Sequence, residues 1–217
     1  MPTRAQIADR LTELLGPGNV ETEEAELRRS SIDRYRKYQD IHQVYVLPTP
    51  AAVAYANSTA DVAAVLGYAN ANRINVVPRT GRSATEGGLE TALPDSIVLD
   101  GSRMNQIVSI DAENMQVSVQ CGVCLQDLED LLRARGLTTG HSPQSKPLAQ
   151  LGGLTATRSI GQLSTLYGGS RTWWSAWRRC CPTAGSAGSR TCPAAPRGQT
   201  SAISRSATRE LCVSSPR

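Results

Sequence analysis

The chain has 217 residues, a formal net charge of +4 and 40% hydrophobic residues, with no Phe and only 4% aromatic residues. This length suffices for one large domain or two small ones. No run of about eighteen apolar residues occurs, so no membrane span is predicted, and the charged, amphipathic N-terminus is unlike a secretory signal. These features predict a cytoplasmic protein whose six cysteines are thiols rather than disulfides.

The first 43 residues predict a helical segment followed by an irregular stretch. Apolar residues between Ile7 and Leu15 recur at helical spacing, and Gly16-Pro17-Gly18 ends the helix. The following residues, Glu21 to Tyr38, are dense in charge and are interpreted as a solvated face.

A β-α-β unit is predicted after this segment. Val44 to Leu47 is interpreted as a strand that ends before Pro48. A helix starts at Ser58 and carries its apolar side chains on one face, and a second strand follows from Ile74 to Val77. Because the length suits a crossover unit, we expect the two strands to be parallel neighbours.

The stretch from Ile74 to Gly88 predicts an anion-binding loop. Its glycines permit tight turns, its main-chain amides can form an anion-binding concavity, and Arg79 adds a donor fork suited to phosphate. The loop leads to a strand at Ile97 to Leu99 rather than to a helix, so it is not a Rossmann fingerprint, and no Gly-Lys-Ser/Thr sequence forms a P-loop. The prediction is a diphosphate cradle, and the alternative is a simple turn.

The next part of the chain predicts a hairpin, a helix and a second glycine-rich segment. The hairpin strands are Ile107 to Ile110 and Met115 to Val119, and the helix runs from Leu125 to Leu132. A polar loop, 138–147, precedes an apolar stretch, 148–157, that contains a Gly-Gly pair. A ligand held between both glycine-rich segments would be long, with its phosphates at one and its ring system at the other.

The motifs PRTGRSATEGG, IVLDGSRMNQIVSID, VQCGVCLQDLEDLLRARGL and SPQSKPLAQLGGLTATRSIGQLSTLYGG occur in this order. Together they resemble the FAD-binding domain of the vanillyl-alcohol oxidase / p-cresol methylhydroxylase superfamily. The chain is most similar to the FAD-linked oxidase branch that holds alkyldihydroxyacetonephosphate synthase, D-lactate dehydrogenase and glycolate oxidase subunits. The resemblance covers residues 30–169 and implies an α+β fold, a FAD-binding domain of p-cresol methylhydroxylase type, incomplete here.

The resemblance also implies which residues bind the cofactor. The family's diphosphate loop, P-x-G-G-G-T-S, falls on Pro78, Arg79, Thr80, Gly81, Arg82, Ser83 and Ala84, with Gly87 close behind. A flavin-side position falls on Pro143, and the flavin-lining segment falls on Gly152, Gly153, Ala156, Thr157, Ser159 and Gly161. Members that attach flavin covalently use a His in or beside the diphosphate loop. None occurs here, so non-covalent FAD is predicted.

The function implied by the resemblance is that of the N-terminal part of a flavin-dependent oxidoreductase. Such an enzyme passes a hydride from a hydroxy acid, or a related alcohol-bearing metabolite, to FAD. The family forms its substrate site largely from a C-terminal cap domain, so an inactive truncated fragment is one alternative. A transferase of the alkylglycerone-phosphate-synthase kind is another. A small-molecule substrate and no nucleic-acid partner are predicted, whereas the electron acceptor and the oligomeric state stay open.

The amino-acid composition of the chain changes after Gly169. Eight of its 23 Lys and Arg residues, one of its 19 acidic residues and all three Trp residues follow that position. Reading across codon boundaries, Trp173-Trp174 must give Val and Cys180-Cys181 must give Leu, while 207–212 permit the family-like string Asn-Glu-Gly-Ala-Leu. These observations predict a shifted reading frame and a non-native, mostly disordered tail. The predicted divisions are 1–43, an N-terminal helical segment, 44–169, the partial FAD-binding domain, and 170–217, the basic tail.

Other candidates receive weaker support from the sequence. Cys121 and Cys124 form a C-x-x-C that would suit a thiol or metal module, but no second such pair or His pair lies near them. His141 could act as an acid or base beside the flavin, although a structural hydrogen bond is the commoner role for a loop His. Arg158 could stabilise negative charge near the flavin or be solvated. The arginine-rich tail could bind nucleic acid, but no recognition module accompanies it.

Overall fold

The computed structural model describes residues 2–36, 41–42, 47–170, 174–181, 185–189 and 211–214, with side chains described only up to residue 170. Its mixture of helices and strands confirms the α+β class. The helices are α1 Arg4–Leu15, α2 Glu24–Ser30, α3 Thr59–Asn72, α4 Leu125–Arg133, α5 Leu151–Ala156 and α6 Ser164–Tyr167, with a 3-10 turn at Arg34–Arg36. The strands are β1 Val20–Glu21, β2 Ala52–Tyr55, β3 Val76–Arg79, β4 Ile97–Asp100, β5 Ile107–Asp111, β6 Gln116–Val119, β7 Trp174–Cys181, β8 Gly185–Ser189 and β9 Leu211–Ser214.

The N-terminal helix ends where its sequence predicts. Thr3 caps α1 through a capping box with Gln6, in which each side chain bonds the other residue's amide. The helix ends at Gly16, whose φ of 82° suits a residue without a Cβ. Ile7 and Leu11 are buried on the face that packs against the sheet, so the apolar stripe read from the sequence is the core-facing one.

The first sheet has the strand order β1-β2-β4-β3 among the described residues. Both β2 and β3 pair with β4 in parallel, so β4 lies between the two strands of the β-α-β unit. The expectation that these strands are direct neighbours was therefore wrong. The first strand of the unit is Ala52–Tyr55, while most of the predicted strand from Val44 to Leu47 lies outside the described residues.

Alternation along the strands divides the core between the two faces of this sheet. Ala52 and Ala54 of β2 pack with Ile97 and Leu99 of β4 against α1 and α3. The side chains between them point to the other face, where Val53, Val77 and Val98 contact Leu27 of α2. This arrangement follows from the two-residue period of a strand, and it places α2 on the face that also carries the end of β3.

The second sheet has the order β5-β6-β9-β7-β8 in the described part of the chain. The predicted hairpin is confirmed, because β5 and β6 pair antiparallel. β7, β8 and β9 lie in the segment beyond residue 169, for which the sequence predicts little structure, and β9 pairs with β6. Helix α4 packs its leucines with Val117, Val119 and Leu151 in a separate apolar cluster.

None of the helices in the described residues is both long enough and apolar enough to cross a membrane.

Candidate functional site

The loop that leaves the carboxyl end of β3 presents its main chain to the surface. It joins β3 to the parallel strand β4, as the sequence predicts for a strand-to-strand connection. Within the described part of the chain, the main-chain amides of residues 81–84 donate no hydrogen bond to protein groups. Arg82 has a φ of 52°, in the left-handed region that bends the loop back on itself. Successive free amides around such a bend form a concavity for an anion.

The glycine loop contacts the second glycine-rich segment directly. A Cβ added at Gly81 would lie 2.2 Å from the carbonyl oxygen of Leu148 and 2.9 Å from the amide nitrogen of Gln150. A Cβ added at Gly153 would lie 3.3 Å from the hydroxyl oxygen of Thr80. The two segments that the sequence assigns to one long ligand therefore lie side by side, and the close approach depends on glycine.

The side chain of Arg79 lies in the interior, with 2% of it exposed. Its Nε donates to Asp100 Oδ2 at 2.6 Å, and its Nη1 donates to Ser30 Oγ at 2.5 Å. Two nitrogens of this guanidinium are therefore engaged by β4 and α2, whereas the buried Nη2 has no hydrogen-bond partner among the described residues. These two hydrogen bonds fix the end of β3 from which the loop departs.

Arg82 is the exposed cation of the loop, and Glu26 of α2 holds it. Arg82 Nη2 donates to Glu26 Oε1 at 2.7 Å, and Arg79 Nη2 lies 3.6 Å from the same oxygen. Burial alone would raise the pKa of Glu26, but the hydrogen bond and charge of Arg82, together with the Ser30 hydrogen bond and the charge of Arg79, leave that pKa below its ordinary value. An anion approaching the loop would compete with Glu26 for Arg82.

Two further predicted residues are engaged within the protein. Gly87 has a φ of 77°, in the left-handed region. Burial raises the pKa of the nearby Asp33 carboxyl, and the main chain at Arg34, Gly87 and Leu89 opposes that effect. Pro143 is half-buried and accepts a hydrogen bond from the Lys146 amide on its carbonyl oxygen, which closes a turn. Gly87 therefore lies at a bend of the loop, and Pro143 begins the turn that the Lys146 amide closes.

The second glycine-rich segment contains both buried packing residues and accessible residues. Gly152 is buried, and a Cβ there would lie 2.7 Å from the Cβ of Cys121. Ala156 and Thr157, at the end of α5, are exposed, and Ser159 is half-buried. Arg158 has a φ of 54°, which turns the chain between Thr157 and Ser159. The accessible face of the predicted flavin segment is therefore its carboxyl half.

A buried histidine supports this carboxyl half. His141 is 2% exposed, and its Nε2 lies 3.1 Å from the hydroxyl oxygen of Ser159. Burial lowers the pKa of His141 to about 4, against an opposing effect from the charge of Glu129. The imidazole is therefore neutral near pH 7. This geometry favours the structural role over proton transfer.

Three residues that organise the site were not predicted from the sequence: Ser30, Asp100 and Glu129. Ser30 and Asp100 hold Arg79, and Glu129 is buried on α4 beside the loop that carries His141. Asp100 had a signal in the sequence, because it ends the apolar strand β4 directly opposite Arg79 in the parallel register. The partners of Ser30 and Glu129 are distant in the chain, so local patterns do not reveal them.

Both members of the cysteine pair contact main-chain carbonyl groups among the described residues. Cys121 is buried with its Sγ 3.6 Å from the carbonyl oxygen of Gly101, and Cys124 contacts the carbonyl oxygen of Pro147 at 3.5 Å. In the part of the chain that the structure describes, no group of three or more His, Cys, Asp or Glu residues is arranged to hold a metal ion. Both thiols act as small packing residues at the start of α4.

Two glycine-rich segments meet beyond the carboxyl end of β3, and one of them has free main-chain amides. Comparisons with known proteins show the family to which this domain belongs. The family model described as "FAD binding domain" matches residues 50–183. The chain is 63% identical over 166 residues to the uncharacterized FAD-linked oxidoreductase YgcU of Escherichia coli strain K12, covering 76% of this chain and 34% of that protein. It is 33% identical over 140 residues to D-lactate dehydrogenase of Anaerostipes hadrus, covering 64% of this chain and 29% of that one.

Solved structures show the same fold. An alkyldihydroxyacetonephosphate synthase superposes with a TM-score of 0.83 at 20% identity, covering 98% of this chain and 40% of that one. A p-cresol methylhydroxylase superposes with a TM-score of 0.76 at 18% identity, covering 98% of this chain and 43% of that one. The chain belongs to the FAD-binding domain family, and its fold is of the p-cresol methylhydroxylase type.

FAD is the cofactor of this domain family, and the residues present fit it. The free amides of 81–84 and the absence of a Cβ at Gly81 and Gly153 leave a cradle at which two main-chain segments meet. The chain spans about a third of the length of the curated relatives it matches.

Proposed function

We propose that the chain is the FAD-binding part of a flavin-dependent oxidoreductase that acts on a hydroxy acid or a related alcohol-bearing metabolite. When bound, FAD supplies the redox chemistry by accepting a hydride from the hydroxyl-bearing carbon. The chain's own residues bind the cofactor and orient it. The contact of Gly81 with Leu148 and Gln150 carries this proposal, because it brings both predicted cofactor segments within reach of one molecule.

The two glycine-rich segments bind different parts of FAD in this proposal. The diphosphate lies on the amides of 81–84 and near Arg82, while the ring lies along the second segment toward Ser159. Pro78 and Arg79 support the loop from β3, and Gly87 supports it from its far side. Ligand-facing positions in the second segment are Gly153, Ala156, Thr157, Ser159 and Gly161, with Gly152 packing beneath them and Pro143 flanking the ring.

Non-covalent attachment of FAD is part of the proposal. It is supported by the absence of a His from residues 74–88 of the sequence. Denaturing the loaded protein in acid should release all of the flavin into the supernatant, where its absorbance is measured. Flavin that stays with the precipitated chain would contradict this part.

A ligand series tests the assignment of the diphosphate. The purified 217-residue chain is titrated with FAD, ADP and riboflavin, with circular dichroism to establish that it is folded. We expect FAD to bind most tightly, ADP to compete with it, and riboflavin, which has no phosphate, to bind at least about tenfold more weakly than FAD, because one charge-assisted hydrogen bond is worth about 1.5 kcal/mol or more. A folded chain that binds riboflavin as tightly as FAD would overturn the assignment.

The non-native origin of 170–217 is a further part of the proposal. It is supported by the shift in charge and by the codon overlaps after residue 169. Sequencing the source DNA around codon 169 tests it, and an intact frame with no missing or extra base would end it. The family match reaches residue 183 and so overlaps this segment by 14 residues, 170–183.

Substrate, location and catalytic competence are proposals of the same kind. A cytoplasmic location is supported by the charged character of α1 and would be tested by cell fractionation. A fragment without activity is the second candidate, favoured by the coverage of only about a third of the curated relatives. Turnover of D-lactate or other 2-hydroxy acids with an artificial electron acceptor separates the two, since an inactive but FAD-loaded chain would support the second.

A further inference from the structure

Glu129 is a carboxylate buried on α4, with 2% of its side chain exposed. Its Oε1 accepts from the main-chain amide of Thr139 at 2.7 Å and from the Thr139 hydroxyl, and its Oε2 accepts from the Thr138 hydroxyl at 3.0 Å. Lys146 Nζ lies 3.9 Å from Oε2. Burying a carboxylate is costly unless it is hydrogen-bonded, and this network satisfies it. The principal partners of Glu129 therefore lie in one loop, 138–146.

The network continues from Thr139 to the predicted flavin segment. The Thr139 hydroxyl oxygen accepts from the main-chain amide of His141 at 3.2 Å. The imidazole of His141 then meets the Ser159 hydroxyl at 3.1 Å. Thr139 and His141 are both almost completely buried, so this chain of contacts is shielded from water until it reaches Ser159.

Main-chain packing ties the same loop to the same segment. A Cβ at Gly161 would lie 2.7 Å from the amide nitrogen of Ser142 and 3.0 Å from His141 Nδ1. The amide of Gln162 donates to the Ser142 carbonyl oxygen at 2.9 Å. Because the loop and the segment are in such close contact, a displacement of His141 would be transmitted to Ser159.

We propose that Glu129 is a positioning residue that, through Thr139 and His141, holds Ser159 at the ring end of the flavin site. The proposal rests on the proposed function, which places the ring along the second segment. Glu129 bonds Arg133, Thr138, Thr139 and Lys146, none of which lies in the diphosphate loop. The direct partners of Glu129 therefore lie on α4 and on the loop that carries His141, rather than in the diphosphate loop.

A matched pair of variants at Thr139 tests this role. Thr139→Val removes the hydroxyl that joins Glu129 to His141 and keeps the side-chain shape, whereas Thr139→Ser keeps the hydroxyl. We expect Thr139→Val to weaken FAD binding by about tenfold, the equivalent of one hydrogen bond, and Thr139→Ser to stay within about twofold of the unsubstituted chain. ADP binding should change less than about twofold in both, because ADP occupies only the diphosphate end.

Ser159→Ala provides the second measurement, since this half-buried residue can lose its hydroxyl without disturbing the core. Ser159→Ala should weaken FAD binding and leave ADP binding unchanged. If Glu129 acts through Ser159, then the double variant Thr139→Val, Ser159→Ala will lose no more FAD affinity than Ser159→Ala alone.

Two results would overturn the proposal. One is an equal loss of FAD and ADP affinity in Thr139→Val, which would show general destabilisation. The other is a multiplicative loss in the double variant, which would show that Thr139 and Ser159 act independently. Failure of the unsubstituted, folded chain to bind FAD would instead reject the proposed function on which this inference rests.

Discussion

Gly81→Ala should damage the cofactor site more than any other single methyl group added to the diphosphate loop. The new Cβ would lie 2.2 Å from the Leu148 carbonyl oxygen and 2.9 Å from the Gln150 nitrogen. Both neighbours are main-chain atoms, so no side chain can rotate away to relieve the overlap. Overpacking typically costs about 1–3 kcal/mol, and a contact this short against backbone belongs near about 3 kcal/mol.

This free-energy cost can appear either as a loss of FAD affinity or as a loss in the free energy of unfolding. If the free chain relieves the overlap by moving the loop away from Leu148, stability is preserved and FAD must pull the segments together again. About 3 kcal/mol then corresponds to roughly a hundredfold loss of FAD affinity. If the loop cannot move, the same free energy is lost from unfolding instead. The sum of the two losses is therefore the quantity that the structure predicts.

Urea unfolding and FAD titration together measure that sum for Gly81→Ala. Gly88→Ala is the matched control in the same loop, because nothing lies within 4 Å of its added Cβ. We expect the control to change either measurement by less than about 1 kcal/mol, and in the stabilising direction for unfolding. A Gly81→Ala chain with unchanged stability and unchanged FAD affinity would refute the observed contact between the two segments.

Two other expectations concern charge. Burial lowers the pKa of His141 to about 4 in the folded chain, whereas the ordinary value of 6.5 applies to the unfolded chain. As the pH falls from 6.5 to about 4, the unfolded chain therefore binds a proton that the folded chain does not, and the free energy of unfolding decreases. We expect a loss of up to about 2 kcal/mol from this group between pH 7.5 and pH 5, and a smaller loss in His141→Asn, measured by urea unfolding. Glu26→Gln should tighten ADP binding several-fold at low salt by releasing Arg82, with no such change in Glu13→Gln, whose exposed ion pair lies on α1. Weaker ADP binding by the folded Glu26→Gln chain would show that Glu26 orients Arg82 rather than competing for it.

Much of the fold was predictable because its elements follow local rules. The caps of α1 and α3, the hairpin of β5 and β6 and the leucine face of α4 each need only residues close in the chain. The strand β2 was missed because Ala-Val-Ala-Tyr is poor in β-branched residues, and its burial depends on helices packed above it. The position of β4 between β2 and β3 is a non-local property that strand spacing does not contain.

The candidate site was predicted in outline by the same kind of reasoning. Glycine patterns located both segments, since a glycine that permits close approach is visible in sequence. Their contact through Gly81 and Leu148 joins residues 67 positions apart, and it emerged only from the fold. Glu129 and Ser30 were unpredictable for the same reason, because each is defined by partners on another element.

Arg79 shows how residue type and strand position can conflict. Its guanidinium suits phosphate, but the alternation of β3 puts Arg79 on the same buried side as Val77, and the parallel register puts Asp100 opposite it. The two-residue period of the strand decides which face Arg79 lies on, whatever ligand its side chain would suit. A buried arginine with a carboxylate partner anchors the end of the strand, so the loop beyond it can begin in a fixed direction. The predicted anion site then depends on main-chain amides, and Arg82 is the cation positioned beside them.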